Sequence, residues 1–442
     1  MSLVAALALL VIGVLGLVLL DILLRRPVVG VWLVLGLELV NASVSSQVSS
    51  MEFLGFRVSV MDVGFSILVV AAVLRLTGIS RTSPEQRSIV VFSAALLVSL
   101  VLGVAAGAIQ EVLNGFRGFH GFLGSALYFS TVLPQLRTRE AMMTPWFATG
   151  VGLLAIVSMR WVGRLTSSDL GVFDATFDTT IRVLSGPHTM LVATTALVLL
   201  LPGLDARLGR PRRERVLGIV LLLVSIVLNR RTVWLALAVA VIALLMLNRR
   251  TGKRVVVGVA AGLFLFLAAL PLFAGDEPEE GVARPVTDTG TLAWRLEGWA
   301  GLLEEGPDDP AEYVIGQPFD SGYERVVGGR DLDSNPHSFY LQTFLRTGIV
   351  GLSALLAALA LSLLGLIRSS RAEAAPFSSE HLIILLTMQM VWFLTWQAGA
   401  EQVIILGLAA GMATSQRRSG LHSRPTPRSA PTLERPLAAP FR

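Results

Sequence analysis

Asn335-Pro336-His337-Ser338-Phe339-Tyr340-Leu341 closes the longest polar segment of the chain and runs directly into an apolar stretch. His337 can take a proton from a hydroxyl, because imidazole is the side chain whose ordinary pKa lies closest to neutrality. Asn335 can cap the following helix and Pro336 suits its first turn, which would set His337 at the positive end of a helix dipole and keep its ring neutral. Judged alone, His337 also fits a histidine that merely marks a membrane interface.

Two further groups supply positive charge. Asn229-Arg230-Arg231-Thr232 is the tip of a hairpin whose arms run from Val216 to Leu228 and from Val233 to Leu247. At about 1.5 Å per residue these arms reach roughly 20–23 Å, less than the ~30 Å hydrocarbon core, so Arg230 and Arg231 would sit recessed. They either snorkel to lipid phosphates or grip a phosphate with their planar forks. Arg295 lies between Trp294 and Trp299 on a stretch spaced like a helix, with Leu292, Leu296, Trp299, Leu302 and Leu303 on one side. It either pairs with Glu297 or Glu304 or is carried toward the hairpin tip. His188, with Arg182 before it, follows Pro187 in a similar setting and reads as structural rather than catalytic.

Several chemistries are missing. There is no cysteine, which excludes disulfides and thiolate metal sites. Asp331-x-Asp333-x-Asn335 opens like a calcium loop, but Pro336 stands where glycine is needed and Gln342 where a bidentate glutamate belongs, so a solvated loop is the better reading. No phosphate-binding glycine loop or zinc motif occurs, and neither a metal nor a cofactor is expected. Asp21, Glu38, Asp62 and Glu111 lie in or near apolar runs without forming a relay.

The elements that must position these residues are membrane helices. The 442 residues are 53% hydrophobic and only 15% charged, with a mean hydropathy of +0.69. That composition predicts an all-α polytopic membrane protein with twelve or thirteen transmembrane helices. Candidate spans are 3–24, 27–43, 60–77, 89–108, 119–135, 144–162, 187–203, 215–229, 232–248, 255–274, 340–367, 381–397 and 401–415. The first apolar run reads as a retained helix, since it lacks the basic start and cleavage site of a secretory signal.

Charge placement sets the topology. The net charge is +5, but the basic residues, all arginine except Lys253, cluster in short turns rather than along a polyanion groove, which argues against nucleic acid. With the Arg25-Arg26 turn inside, 24 of the 36 basic residues fall on the cytoplasmic side, which predicts a cytoplasmic carboxyl terminus. The segment 275–338 then lies outside; its stretch from Gly275 to Pro336 holds fifteen acidic residues and four basic ones. The expected organisation is helices over 1–274, this extracytoplasmic loop with short helices, helices again over 339–416, and a disordered cytoplasmic tail over 417–442.

Three pieces, in this order, resemble the O-antigen ligase and polysaccharide polymerase superfamily. They are Arg231-Thr232-Val233-Trp234 at the hairpin tip, Arg295 four residues before Trp299, and Asn335 to Leu341 leading to Gly348-Ile349-Val350-Gly351-Leu352. Tyr313-Val314-Ile315-Gly316 resembles the family's short glycine-containing segment between its loop arginine and histidine, and Arg182 to His188 its polar lead-in to an earlier helix. The likeness covers residues 180–365 and departs from the pattern at Ser338, where asparagine is frequent, and at Arg346-Thr347, where an acidic residue commonly precedes the glycine.

The resemblance implies a glycosyltransferase of the cytoplasmic membrane that needs no metal. It would move a glycan from an undecaprenyl-pyrophosphate carrier to a hydroxyl of an acceptor glycan or glycolipid at the outer face. His337, Arg231 and Arg295 would be catalytic, and Arg230, Arg182, His188, Asn335 and Tyr340 would bind substrate. The competing class is a transporter or flippase of a lipid-linked or anionic glycan. It is disfavoured by the absence of an internal repeat or of matching interrupted helices.

Overall fold

The computed structural model describes residues 3–43, 50–53, 56–79, 82–107, 109–132, 139–165, 183–201, 212–228, 230–247, 290–304, 306–307, 309–369 and 379–422. The first nine helices are α1 (Leu3–Arg25), α2 (Val28–Ser43), α3 (Val60–Thr77), α4 (Pro84–Ala106), α5 (Ile109–Val132), α6 (Arg139–Leu165), α7 (Gly186–Leu200), α8 (Arg212–Val227) and α9 (Arg231–Leu247). Next come α10 (Gly290–Glu304), α11 (Pro310–Ile315), α12 (Phe339–Ser369), α13 (Ser379–Trp392) and α14 (Ala400–His422). The chain is an all-α polytopic membrane protein. Among the described residues, the stretches Val60–Thr77, Pro84–Ala106, Met142–Gly163 and Phe339–Arg368 are long and apolar enough to cross a bilayer, and shorter apolar helices pack beside them. Large side chains such as Leu17, Val101 and Met246 face outward, 67%, 64% and 80% exposed, as expected where hydrocarbon rather than water is the solvent.

Local chemistry explains the helix ends. Ser59 and Asp62 form a reciprocal capping box at α3, with Asp62 N donating to Ser59 Oγ (3.1 Å) and Ser59 N to Asp62 Oδ2 (2.8 Å). Ser83, Pro84 and Gln86 do the same for α4. Gly107 ends that helix in the left-handed region (φ 97°), so the chain turns and re-enters helix at Ile109. Hydropathy alone places the start of this helix at 119, because Gln110, Glu111, Asn114 and Arg117 are polar. Arg117 instead reaches Asp62 at 3.1 Å and Asn114 at 2.8 Å, which satisfies the polar first turns within the helix pair. The final helix runs to His422, past Ser415 and into the segment expected to be disordered. The candidate span 255–274 lies outside the described residues.

The core is built by α12 against α4, α14 against α5, α5 against α3, α7 against α8 and α13 against α9. Between α9 and α12 the loop holds α10, α11 and an antiparallel hairpin of β1 (Glu324–Val327) and β2 (Arg330–Asp333), turned by Gly328 and Gly329 at φ 56° and 74°. Asp331 and Asp333 therefore lie on a strand, where Asp333 Oδ1 accepts from Tyr323 N at 2.8 Å. A second short hairpin pairs Ser50–Phe53 with Phe56–Ser59 ahead of α3.

The loop is locked to α12 at one place. Gly348 interrupts α12 at φ 60°, and a Cβ there would lie 2.3 Å from the Val314 carbonyl; one on Gly316 (φ 84°) would lie 2.3 Å from Thr347 N. The two glycines let the end of α11 and the kink touch backbone to backbone. Arg346, 1% exposed, donates to Pro318 O (2.6 Å), Tyr323 Oη (3.0 Å) and Ser321 O, and its guanidinium lies 4.3 Å from the Tyr323 ring centroid. Arg346 thus clamps the turn after Gly316. Gly348→Ala is expected to destabilise the protein by roughly 1–3 kcal/mol or more, measured as a lower midpoint of thermal unfolding in detergent.

Candidate functional site

The site forms around Trp396, in the turn between α13 and α14. The His337 ring lies 4.9 Å from the Trp396 ring, centroid to centroid, and the Arg295 guanidinium carbon 5.8 Å from that same centroid. The start of α7 also packs on the indole: a Cβ on Gly186 would come within 2.7 Å of it. Trp392 stacks on Trp396 at 5.6 Å with the planes 8° apart, fixing the indole's direction. Residues 186, 295, 337 and 396 thus meet at one aromatic surface although they are far apart in sequence.

The histidine loop is held from three directions. Trp299 of α10 donates its indole N–H to Pro336 O at 2.7 Å. Phe339 N donates to Phe393 O (2.8 Å) and Trp396 O (3.2 Å), tying the start of α12 to the turn that carries Trp396. Asn335 Oδ1 accepts from His337 N at 3.3 Å. This closes a local turn and leaves the helix cap to Ser338, whose Oγ and O accept from Leu341 N (3.4 Å) and Gln342 N (2.9 Å). The expected cap is therefore corrected: α12 begins at Phe339, and His337 stands just outside it at φ 52°. A non-glycine residue in this region stores strain, which the three anchors offset.

The ring is held neutral by other means than a helix dipole. Burial, then the charges of Arg295 and Arg325, push its pKa from 6.5 down to about 4. Arg325 is itself buried, donating to Tyr323 O (2.9 Å) and Ser334 O (2.6 Å), and burial pushes its pKa down while Asp333 pushes it up. Because the folded chain binds this proton more weakly than the unfolded chain, the neutral ring's contribution to stability is complete above pH 6.5. It is lost as pH falls from 6.5 toward about 4. In Arg295→Ala the His337 titration, followed by NMR in detergent, is expected to move upward toward 6.5.

The hairpin arginines divide in role. Arg230 is buried, and its Nη2 donates to Leu184 O at 2.9 Å, two residues before the glycine that packs on Trp396. It anchors the approach to α7. Arg231 is half-buried and opens α9. The α7 lead-in is held again by Arg160, which donates to Val183 O (3.0 Å) and Ala42 O (2.6 Å). His188 is 9% exposed, with Nδ1 at 2.7 Å from Ser185 Oγ and no hydrogen-bond partner for Nε2 among the described residues. Tyr340 donates its hydroxyl to Met390 O at 3.1 Å, a bond between α12 and α13. Arg182 and Asn229 lie outside the described residues.

The structure thus brings His337 and Arg295 together at Trp396, with Asn335 bonded to the His337 backbone and Arg230 to the Leu184 carbonyl two residues before Gly186. Sequence spacing alone does not single out Trp396, Arg325 or Arg160. The signal for the first was there: Trp392 and Trp396 repeat at i, i+4 beside Gln397, at the end of an apolar run.

Fold and site together define an integral membrane protein with a cationic, imidazole-bearing centre where a polar loop meets its helices. Residues 216–356 match the family described as O-antigen ligase, and over that stretch the chain carries this family's domain. The match runs from α8 into α12 and includes Arg230, Arg231, Arg295 and His337. It places the chain among glycan-transferring membrane enzymes. No curated protein matches the chain significantly.

Proposed function

We propose that this protein transfers a glycan from an undecaprenyl-pyrophosphate carrier to a hydroxyl of an acceptor glycan or glycolipid, as an O-antigen ligase or polysaccharide polymerase does. The observation that carries the reading is the placement of His337 and Arg295 against one tryptophan ring, Trp396, with Arg230 bonded to the Leu184 carbonyl in the lead-in to α7. Arg295 and Arg231 grip the pyrophosphate. The acceptor oxygen attacks the anomeric carbon, the carbon–oxygen bond to the pyrophosphate breaks, and its electron pair leaves with the phosphate oxygen. The developing charge is met by guanidinium groups already in position, which cost no reorganisation. The neutral His337 ring takes the acceptor's proton or orients its hydroxyl. The residues named suffice for each step without a metal.

The proposed setting is the cytoplasmic membrane, with 275–338 outside and the carboxyl terminus in the cytoplasm, because basic residues gather in alternate turns. The polar segment then meets the lipid carrier at the outer face, with membrane lipid around the helices.

Purified protein in proteoliposomes, given a lipid-pyrophosphate donor and a candidate acceptor, is expected to release undecaprenyl pyrophosphate. Movement of the donor across the bilayer without that release would establish a flippase instead.

A further inference from the structure

A cavity of about 170 Å³ opens in the polar loop between the end of α10, the turn after α11 and α12, and none of His337, Arg295 or Trp396 lines it. Leu302 of α10 and Leu345 of α12, both buried, contribute apolar surface. Gln317, Ser321 and Gly322 of the turn and Glu324, the first residue of β1, make up the polar part. The volume suits a single ring: a cavity of about 150 Å³ accommodates benzene, whereas sites for drug-sized ligands run to roughly 300–1,000 Å³.

The backbone around this cavity is fixed. Gln317 N donates to Leu345 O at 2.7 Å, and Gln317 O accepts from Ser99 Oγ at 2.8 Å. Arg346 donates to the carbonyls of Ser321 and Gly322. The side chains of Gln317, Ser321 and Glu324, by contrast, take no part in the hydrogen bonds found among the described residues. Gln317 and Ser321 are half-buried and Glu324 is exposed. Apolar contact beside a few polar groups on a preformed frame is the usual build of a small-molecule site.

The lining also indicates what it takes. An amide and a hydroxyl each donate and accept, and a carboxylate accepts, so together they match a ring bearing several hydroxyls while the leucines meet its C–H surface. An anion fits poorly. Glu324 carries negative charge at the cavity, Asp333 Oδ1 lies 3.1 Å from where a Cβ on Gly322 would stand, and no cation is among the lining residues. The Arg346 guanidinium is buried and already committed to four protein oxygens. The location is also informative. Leu302 stands seven residues beyond Arg295 on α10, about 10 Å along the helix axis. Glu324 and Arg325 point to opposite faces of β1, and the Arg325 charge acts on His337. A ring held in the cavity is therefore near the transfer centre without being the ring that reacts.

We propose that this cavity binds a neutral pyranose ring of the glycan, set back from the reacting end, through Gln317, Ser321 and Glu324. The proposal rests on the reading of the chain as a glycan transferase. It adds a second point of recognition, one that selects uncharged sugars along the chain being joined.

The test is saturation-transfer NMR on the full-length protein in lipid nanodiscs, with methyl glycosides of glucose, galactose and mannose as probes and methyl glucuronide as their charged counterpart. Wild type is expected to saturate at least one neutral glycoside and not the glucuronide. Gln317→Leu and Glu324→Ala leave the backbone bonds of the wall in place, and each is expected to raise the dissociation constant read from the titration roughly three- to tenfold. Asp331→Ala, which removes a carboxylate from an exposed position on β2, should leave it unchanged. Saturation by none of the neutral glycosides overturns the subsite, as do equal dissociation constants in wild type, Gln317→Leu and Glu324→Ala. Equal saturation by the glucuronide overturns the selection for neutral rings. Displacement of the bound glycoside by a lipid-pyrophosphate-linked oligosaccharide assigns the ring to the donor glycan, and displacement by a free acceptor oligosaccharide assigns it to the acceptor. In a wild type that transfers, displacement by neither overturns the subsite. The two readings fail separately. If lipid pyrophosphate is released but glycoside contact is absent or indifferent to Gln317 and Glu324, the transferase stands and the subsite falls. If no lipid pyrophosphate is released yet glycoside contact depends on both residues, the sugar site stands and the transferase reading falls.

Discussion

His337→Ala is expected to lower the rate of glycan transfer by about 10²–10⁴-fold, the range of a positioned proton acceptor, with little change in stability. The geometry argues for an effect on chemistry rather than on folding. The backbone of the histidine loop is held by Trp299, by Asn335 and by the Phe339 N–H, none of which uses the imidazole. The alanine variant keeps these anchors, and removing the ring relieves the cost of a half-buried imidazole facing Arg295 and Arg325. The measurement is release of undecaprenyl pyrophosphate in proteoliposomes, alongside thermal unfolding and elution volume. Undiminished transfer by a well-folded His337→Ala protein would remove the histidine from the mechanism. The pH dependence makes the same point. A base with its pKa near 4 stays neutral over the physiological range, so kcat/KM should hold steady well below pH 6.5 before it falls.

The second large effect belongs to the arginines proposed to grip the pyrophosphate. Arg295→Ala is expected to cost about 10²–10³-fold in kcat, comparable to losing one preorganised donor from a developing anion. Arg231→Ala should fall in the same range. Arg295→Lys should recover only part of the loss, because an ammonium is a point charge whereas a guanidinium presents a planar fork that matches two phosphate oxygens. The position also has a packing role, since the Arg295 guanidinium lies over the Trp396 face. The lysine variant keeps a cation near that face and separates the two contributions. If Arg295→Lys and Arg295→Ala both transfer at the wild-type rate, Arg295 serves only to pack the loop helix.

Much of the architecture was legible because hydropathy is a local property. Twelve of the thirteen candidate spans correspond to described helices, with 255–274 lying outside the described residues. Errors arose where a polar side chain is satisfied by a distant partner. The start of α5 was missed because Asp62 of α3 neutralises Arg117, and no window along α5 alone contains that fact. The extension of α14 to His422 was missed because the arginines after Ser415 read as the end of packing. Asp331-x-Asp333-x-Asn335 reads in sequence as a solvated loop, whereas Asp331 and Asp333 pair with Val326 and Glu324 on a strand, a partnership no local window contains.

The candidate site was legible in its residue types but not in their division of labour. By itself, the sequence determined that the chain is a set of apolar helices, that one polar segment carries Arg295 and His337, and that two arginines crown a short hairpin. Each of these follows from composition, spacing and the roughly 20 residues needed to cross a bilayer. Tertiary packing alone decided that His337 and Arg295 share Trp396, and that Arg230 is spent on the Leu184 carbonyl. It also decided that the imidazole is kept neutral by burial and two guanidinium groups, from the left-handed residue before α12. The reason is physical: proton affinity, and the free or committed state of an arginine, depend on groups within a few ångströms in space. Those groups come here from residues 184, 295, 325 and 396, which only the packed helices bring together.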